Sequence, residues 1–361
     1  MLISKRYLRL MAGFLLCSTL LAAQDNRPKN IILFIGDGMG IAQITAGRTV
    51  KGKLELERFR DLGLLITHSA DNYLTDSAAG ATALATGVKT YNGAIGVDVD
   101  KKPLKTVLEY AEQAGKATGL ISTSSVTHAT PASFAAHVDS RKKDNEIAEG
   151  MSRSGVDVLI GGGLAYFLPA SAEGSKRDDE LDLLSRLAKP QQIVRTAEAF
   201  RAYSGKEKLV ALLADKHMGK ADERPLTLKE MTRKAIEILS QDEDGFFLMV
   251  EGSQIDWGGH GNNTEYIIME MVDFDAAVGE GLDFAESNGE TLVIVTADHE
   301  TGGFSLEKGS IAEHKVEKGD FTTNYHTAEM VPLFAAGPSA RLLTGIHQNT
   351  HVGTVMISLI K

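Results

Sequence analysis

Short apolar runs recur along the chain, separated by segments with helical periodicity. The runs Ile31–Ile35, Leu62–Ile66, Ala117–Ile121, Val156–Ile160, Phe246–Val250, Leu292–Val295 and Pro332–Ala336 have strand length and strand composition. Between them, Leu104–Ala114 and Thr227–Leu239 have helix length. The segment after Asn263 places Ile267, Met271, Phe274, Val278 and Leu282 on one helical stripe. Strands that are apolar throughout, alternating with helices, predict an α/β fold of three layers, α/β/α, around a central, mostly parallel sheet. Residues 161–225 are the least regular stretch, with Gly161-Gly162-Gly163 and the charged Lys176–Glu180. They are expected to form an insertion on one domain rather than a second domain.

The polar residues that follow the strands locate a site. Asp37 follows the first strand, Glu251 follows Phe246–Val250, and Asp298-His299 follow Leu292–Ala297. His128 and Thr130 lie just past Ala117–Ile121. Open α/β sheets bind ligands outside the carboxyl ends of their strands, so these groups should converge on one edge.

Composition narrows the partners. The chain has 361 residues, 43% hydrophobic and 24% charged, which is globular and excludes disordered or low-complexity architectures. It carries −10 with no Lys/Arg-rich block, which argues against nucleic-acid and anionic-membrane binding. A single cysteine excludes an internal disulfide and a thiolate metal site, so any metal must be held by His, Asp and Glu. Lys5, Arg6 and Arg9 precede an apolar run that ends in Ala22-Ala23, the pattern of a secretory signal peptide over residues 1–23. About 14 apolar residues are too few to span a bilayer as a helix. Cleavage near Ala23 would leave residues 24–361 as one cysteine-free domain, periplasmic or secreted and not held in a membrane.

Several motifs carry candidate chemistry. Gly36-Asp37-Gly38-Met39-Gly40 suits a tight turn that brings backbone close to an ion, although such a turn is often structural. Asp76-Ser77-Ala78-Ala79-Gly80-Ala81-Thr82 puts a serine at the start of a small-residue helix, where amide N–H groups favour an anion. By itself it reads slightly better as a helix cap formed by Asp76 or Ser77. Glu251 to His260 holds three potential ligands, with Asp256 and His260 spaced i, i+4 on a helical turn. Adjacent Asp298 and His299 can serve one ion only where the strand is already turning. His326 has no local motif to support it. Together Asp37, Glu251, Asp256, His260, Asp298, His299 and His326 outnumber the ligands of one tetrahedral zinc. Buried carboxylates without cations cost several kcal/mol each. Two transition metals about 4 Å apart form a clamp for in-line phosphoryl displacement, and a third, all-oxygen site suits Mg²⁺.

In these motifs, with Thr127-His128-Ala129-Thr130-Pro131 and Tyr325-His326-Thr327 in the same order, the sequence resembles the alkaline phosphatase family over essentially the whole mature chain. The resemblance implies that fold and the hydrolysis of small phosphate monoesters through a phosphoserine, with two Zn²⁺ and one Mg²⁺. It implies Ser77 as nucleophile and Arg141 as the guanidinium that clamps phosphate. Asp256, His260 and His326 correspond to ligands of the first zinc, and Asp37, Asp298 and His299 to those of the second. Thr130 and Glu251 complete the magnesium site, towards which Asp37 bridges. His128 and Trp257 occupy positions that vary in the family, and the pair resembles cold-environment bacterial members. His128 is expected to reach the magnesium through water. The family also suggests a homodimer. The competing readings are a phosphodiesterase of the same superfamily and a non-catalytic phosphate- or metal-binding protein.

Overall fold

In a computed structural model, residues 27–187, 191–205 and 208–361 are described. The expected signal peptide lies outside them. The strands are β1 (Asn30–Gly36), β2 (Asp61–Ile66), β3 (Ala117–Ser125), β4 (Val158–Gly162), β5 (Gln191–Val194), β6 (Lys208–Leu212), β7 (Phe246–Gly252), β8 (Thr291–Thr296), β9 (Glu300–Thr301), β10 (Phe304–Ser310), β11 (Lys315–Phe321), β12 (His326–Thr327), β13 (Val331–Ala336) and β14 (Gly345–Gln348). Ten of them form one sheet in the order β14-β2-β13-β8-β1-β7-β3-β4-β6-β5. Only β13 runs antiparallel to its neighbours. Every residue of β1, β7 and β8 is buried, as expected of central strands covered on both faces.

The segment around 161–225 supplies β5 and β6, which extend the sheet beyond β4. These strands have only four and five residues, too short for the apolar pattern to separate them from the loops around them. Register fixes the site edge. Ile35 stands opposite both Glu251 and Thr296, so β1, β7 and β8 end at one level. Asp37, Glu251 and Asp298 therefore emerge side by side.

Helices flank the sheet in two groups. The 25-residue helix Thr264–Asn288 packs with Ile41–Lys51 and Leu228–Leu239, and Ser77–Thr86 packs with Ala129–Ala135 and Thr350–Ile360. All ten residues of Ser77–Thr86 are buried. Its small side chains allow this, because backbone rather than side chains meets its neighbours. A Cβ placed on Gly353 would lie 2.5 Å from the Gly87 nitrogen and 2.7 Å from the Leu84 carbonyl oxygen. Alanine normally stabilises a helix interior over glycine by roughly 1 kcal/mol. Here the backbone contact reverses the sign, and Gly353→Ala should destabilise the fold by about 1–3 kcal/mol through overpacking. Thermal melting checks this; an unchanged or raised melting temperature would show that the two helices are not in such close contact.

Candidate active site

The turn after β1 brings the ligand-bearing segments together. Gly38 adopts φ +74° and its N–H donates to Asp298 Oδ1 at 3.2 Å. A Cβ on Gly38 would sit 2.6 Å from the Asp256 Cα, so glycine is required for both the backbone angle and the approach. Asp256 and His260 lie on the helix Gln254–His260 that follows β7. Strand β8 ends at Thr296, so Asp298 and His299 lie in a turn where strand alternation no longer separates them. His326 opens β12, which pairs with β9.

These residues gather into three groups: Asp256, His260 and His326; Asp37, Asp298 and His299; and Asp37, His128 and Glu251. Within each group, one donor atom per residue lies within 4.8 Å of the others. Asp37 is shared. His260 Nδ1 faces the Asn324 carbonyl at 2.7 Å, and His326 Nδ1 faces that of Thr75 at 2.8 Å. A carbonyl only accepts, so both Nδ1 atoms carry a proton, and in the neutral ring it is Nε2 that presents the lone pair. Those Nε2 atoms are 3.2 Å apart, and they lie 3.4 and 3.7 Å from Asp256 oxygens. Two lone pairs at that separation repel unless a cation lies between them. In the second group His299 Nε2 is 3.5 Å from Asp37 Oδ1 and 3.3 Å from Asp298 Oδ2.

The third group is the richest in oxygen. Glu251 Oε2 accepts from Ser122 Oγ at 2.6 Å. Its other oxygen, both Asp37 oxygens, Thr130 Oγ1 and His128 Nδ1 are buried without a hydrogen-bond partner. Burial raises Asp37 well above the usual carboxylate range, with Asp298, Asp256 and Glu251 adding repulsion. Burial likewise pushes Asp298 up to about 7 and raises Glu251. The His128 and His299 imidazoles are held neutral, chiefly by burial and then by Arg141 and His326 respectively. Neutral imidazoles beside unsatisfied carboxylates suit zinc in the first two groups and an oxygen-seeking Mg²⁺ in the third.

Ser77 is the first residue of its helix, and its Oγ lies 3.3 Å from His299 Nε2. Asp76 caps that helix by accepting from the Ala79 amide at 3.0 Å. Its second oxygen accepts from Arg141 Nη1 at 3.1 Å, while Arg141 Nη2 donates to His128 Nε2 at 3.2 Å. Asp76 is therefore the side chain that caps the helix, and the Ser77 hydroxyl is not used for that purpose. Trp257 stands edge-to-face with His128, ring centres 6.2 Å apart. Sequence reasoning missed His217, whose ring lies 4.9 Å from Trp257 and 5.8 Å from His128. Between Lys216 and Met218 it carries no motif, and only the fold brings it to the site.

A family model described as alkaline phosphatase matches residues 28–320. The chain belongs to the alkaline phosphatase family. It is 43% identical over 297 residues to alkaline phosphatase 4 of Bacillus subtilis, covering 77% of this chain and 62% of that protein. It thus spans about three fifths of the length of that relative. Against the alkaline phosphatase of Escherichia coli it is 35% identical over 401 residues, covering 90% of this chain and 84% of the other. The solved alkaline phosphatase of the Antarctic bacterium TAB5 superposes with a TM-score of 0.84 at 41% identity, covering 92% of this chain and 98% of that one. Variants of that enzyme with one histidine replaced by aspartate or glutamate were solved with Mg bound.

The raised carboxylates make metal binding by this alkaline phosphatase family member depend on pH. Asp298 rises from an ordinary 3.8 to about 7, so the metal-free fold takes up a proton there that the unfolded chain releases. That stabilisation is lost as pH rises through about 7, and cation binding must expel the same proton. The buried imidazoles of His128 and His299 are already neutral, so cation binding displaces no proton from them. The gap in melting temperature between metal-loaded and EDTA-treated protein should therefore widen from about pH 5.5 to 8; a gap independent of pH would contradict this.

Proposed function

We propose that this protein is a metal-dependent phosphomonoesterase that hydrolyses small phosphate esters to an alcohol and inorganic phosphate, with Ser77 as nucleophile. The observation that carries this reading is the Ser77 hydroxyl, set at a helix start beside the Asp37, Asp298 and His299 group. Asp256, His260 and His326 would hold one zinc, and Asp37, Asp298 and His299 a second. Asp37, Glu251 and Thr130 would hold magnesium, with His128 reaching it through water. When bound, the ions supply Lewis acidity that lowers the pKa of the serine hydroxyl and of water and offsets charge on the ester.

The chain's own groups do the positioning. Ser77 Oγ attacks phosphorus in line, the phosphorus–oxygen bond to the alcohol breaks, and the alcohol departs with a proton. The Ser77 amide, at the positive end of its helix, and the planar fork of Arg141 bind the equatorial oxygens. Asp76 and His128 hold that fork from two sides. Water then attacks the phosphoserine, phosphate leaves, and the serine recovers its proton.

The acidic charge suits small esters rather than nucleic acid. The pattern in residues 1–23 supports a periplasmic or secreted location, and among the described residues no helix is long and apolar enough to cross a membrane. An apolar surface of Ile41, Leu62, Leu64, Pro332, Phe334 and Ile346, with Ile41, Leu62 and Ile346 more than half exposed, supports a homodimer.

Turnover of p-nitrophenyl phosphate by the purified protein, with metal content measured on the same sample, tests the reading directly. Ser77→Ala should cut kcat by roughly three orders of magnitude or more while leaving metal content unchanged. Turnover near that of the wild type would overturn it. His128→Asp adds an anionic oxygen beside Asp37 and Glu251 and should tighten magnesium binding while weakening phosphate binding. Trp257→Lys should restore some of the latter, so the two effects on KM should be non-additive. Additivity within about 0.3 kcal/mol, with magnesium dependence unchanged, would place both residues outside the site's influence.

A further inference from the structure

We infer that Glu300 is a positioning residue that fixes the three ligand-bearing segments relative to one another; the inference rests on the ligand assignments proposed above. Glu300 is 2% exposed, and all four of the hydrogen bonds its carboxylate accepts come from donors that the fold holds in place. Oε1 accepts from Gln43 Nε2 at 2.8 Å and from the Phe304 amide at 3.1 Å. Oε2 accepts from the Gly303 amide at 3.1 Å and from Thr327 Oγ1 at 2.5 Å.

Each donor ties a different segment of the site. Gln43 belongs to the helix that starts one residue after the Asp37–Gly40 turn, and its own Oε1 accepts from the Gly40 amide at 3.1 Å. Its Nε2 also donates to the Thr301 carbonyl at 3.0 Å, so the amide cannot reverse without losing contacts at both ends. Gly303 and Phe304 close the turn that begins at Asp298-His299. Thr327 follows His326, and Thr327 stands opposite Glu300 in the β9–β12 pair. Gly40 leaves the room this needs, because a Cβ there would meet Glu300 Cγ at 2.5 Å. One carboxylate therefore joins the segments carrying Asp37, His299 and His326 without being placed among the ligands in any of the three groups.

A carboxylate is the side chain this pocket demands. Four donors converge on two oxygens, and an amide would turn an N–H₂ towards two of them. Glu300→Gln should leave the fold intact but loosen the spacing between ligands. Loss of such outer partners costs roughly 10- to 100-fold in metal affinity.

The test is zinc retention against a graded chelator, together with melting temperatures of metal-loaded and EDTA-treated protein, for wild type, Glu300→Gln and Thr327→Val. The expected result is a 10- to 100-fold weaker zinc affinity for Glu300→Gln and a smaller loss for Thr327→Val, which removes one donor of the four. The rise in melting temperature on metal loading should shrink in the same order. A purely structural role would instead lower both melting temperatures equally and leave zinc affinity unchanged, and that result overturns the inference. If Glu300→Gln does not fold, zinc affinity in Thr327→Val decides. A wild type that neither retains zinc nor turns over p-nitrophenyl phosphate would overturn the proposed function itself. A wild type that does both, with variants of unchanged affinity, overturns only the role of Glu300.

Discussion

Four carboxylates, Asp37, Glu251, Asp256 and Asp298, are buried at one edge of the sheet, close enough that Asp256 and Glu251 add to the proton affinity that burial gives Asp37 and Asp298. At an effective dielectric near 20, two unit charges 4 Å apart repel by about 4 kcal/mol. Two such pairs, Asp37 with Asp298 and Asp37 with Glu251, have oxygens within 4.8 Å of each other, and their repulsion alone is a large part of the ~5–15 kcal/mol that separates a folded domain from its unfolded state. The ionised set is therefore compatible with this fold only when cations share the space. The surroundings fit that demand: His260 and His326 give their Nδ1 protons to backbone carbonyls and turn lone pairs inward. Arg141 is a cation that the chain itself contributes, and the hydrogen bonds that hold it in place go to Asp76 and His128 rather than to the four buried acids.

The fold supplies the stiffness that such crowding requires. Strands β1, β7 and β8 are apolar along their length and end in register, which sets the depth of Asp37, Glu251 and Asp298 by backbone hydrogen bonds alone. Glycine then lets the segments touch. At Gly38 the backbone turns left-handed against Asp256, and at Gly80 the serine helix approaches Asp298, where a Cβ would lie 3.0 Å from that of the aspartate. A larger residue at either point would push neighbouring ligand-bearing segments away from each other.

Much of this was legible in the sequence because it depends on local order. A continuous apolar run followed within three residues by an acid marks a strand that delivers a side chain to the carboxyl edge, and Asp37, Glu251 and Asp298 all follow that rule. The i, i+4 spacing of Asp256 and His260 was legible for the same reason. His326 was readable only through the family resemblance, since its partners lie far off in sequence. His217 and Glu300 were out of reach: one meets Trp257 through a loop after β6, the other meets Gln43 across the site. Short β5 and β6 went unread because four or five residues give too little pattern, although together they extend the sheet by two strands.

The central claim is that cations occupy the spaces between these acids and imidazoles. Crystals of the protein grown without chelator, with diffraction measured on both sides of the zinc absorption edge, test it most directly. Two anomalous peaks are expected, one bounded by Asp256, His260 and His326 and one by Asp37, Asp298 and His299, with a non-anomalous ion among Asp37, Glu251 and Thr130. Crystals of an active preparation that show no anomalous peak in either group would contradict the claim.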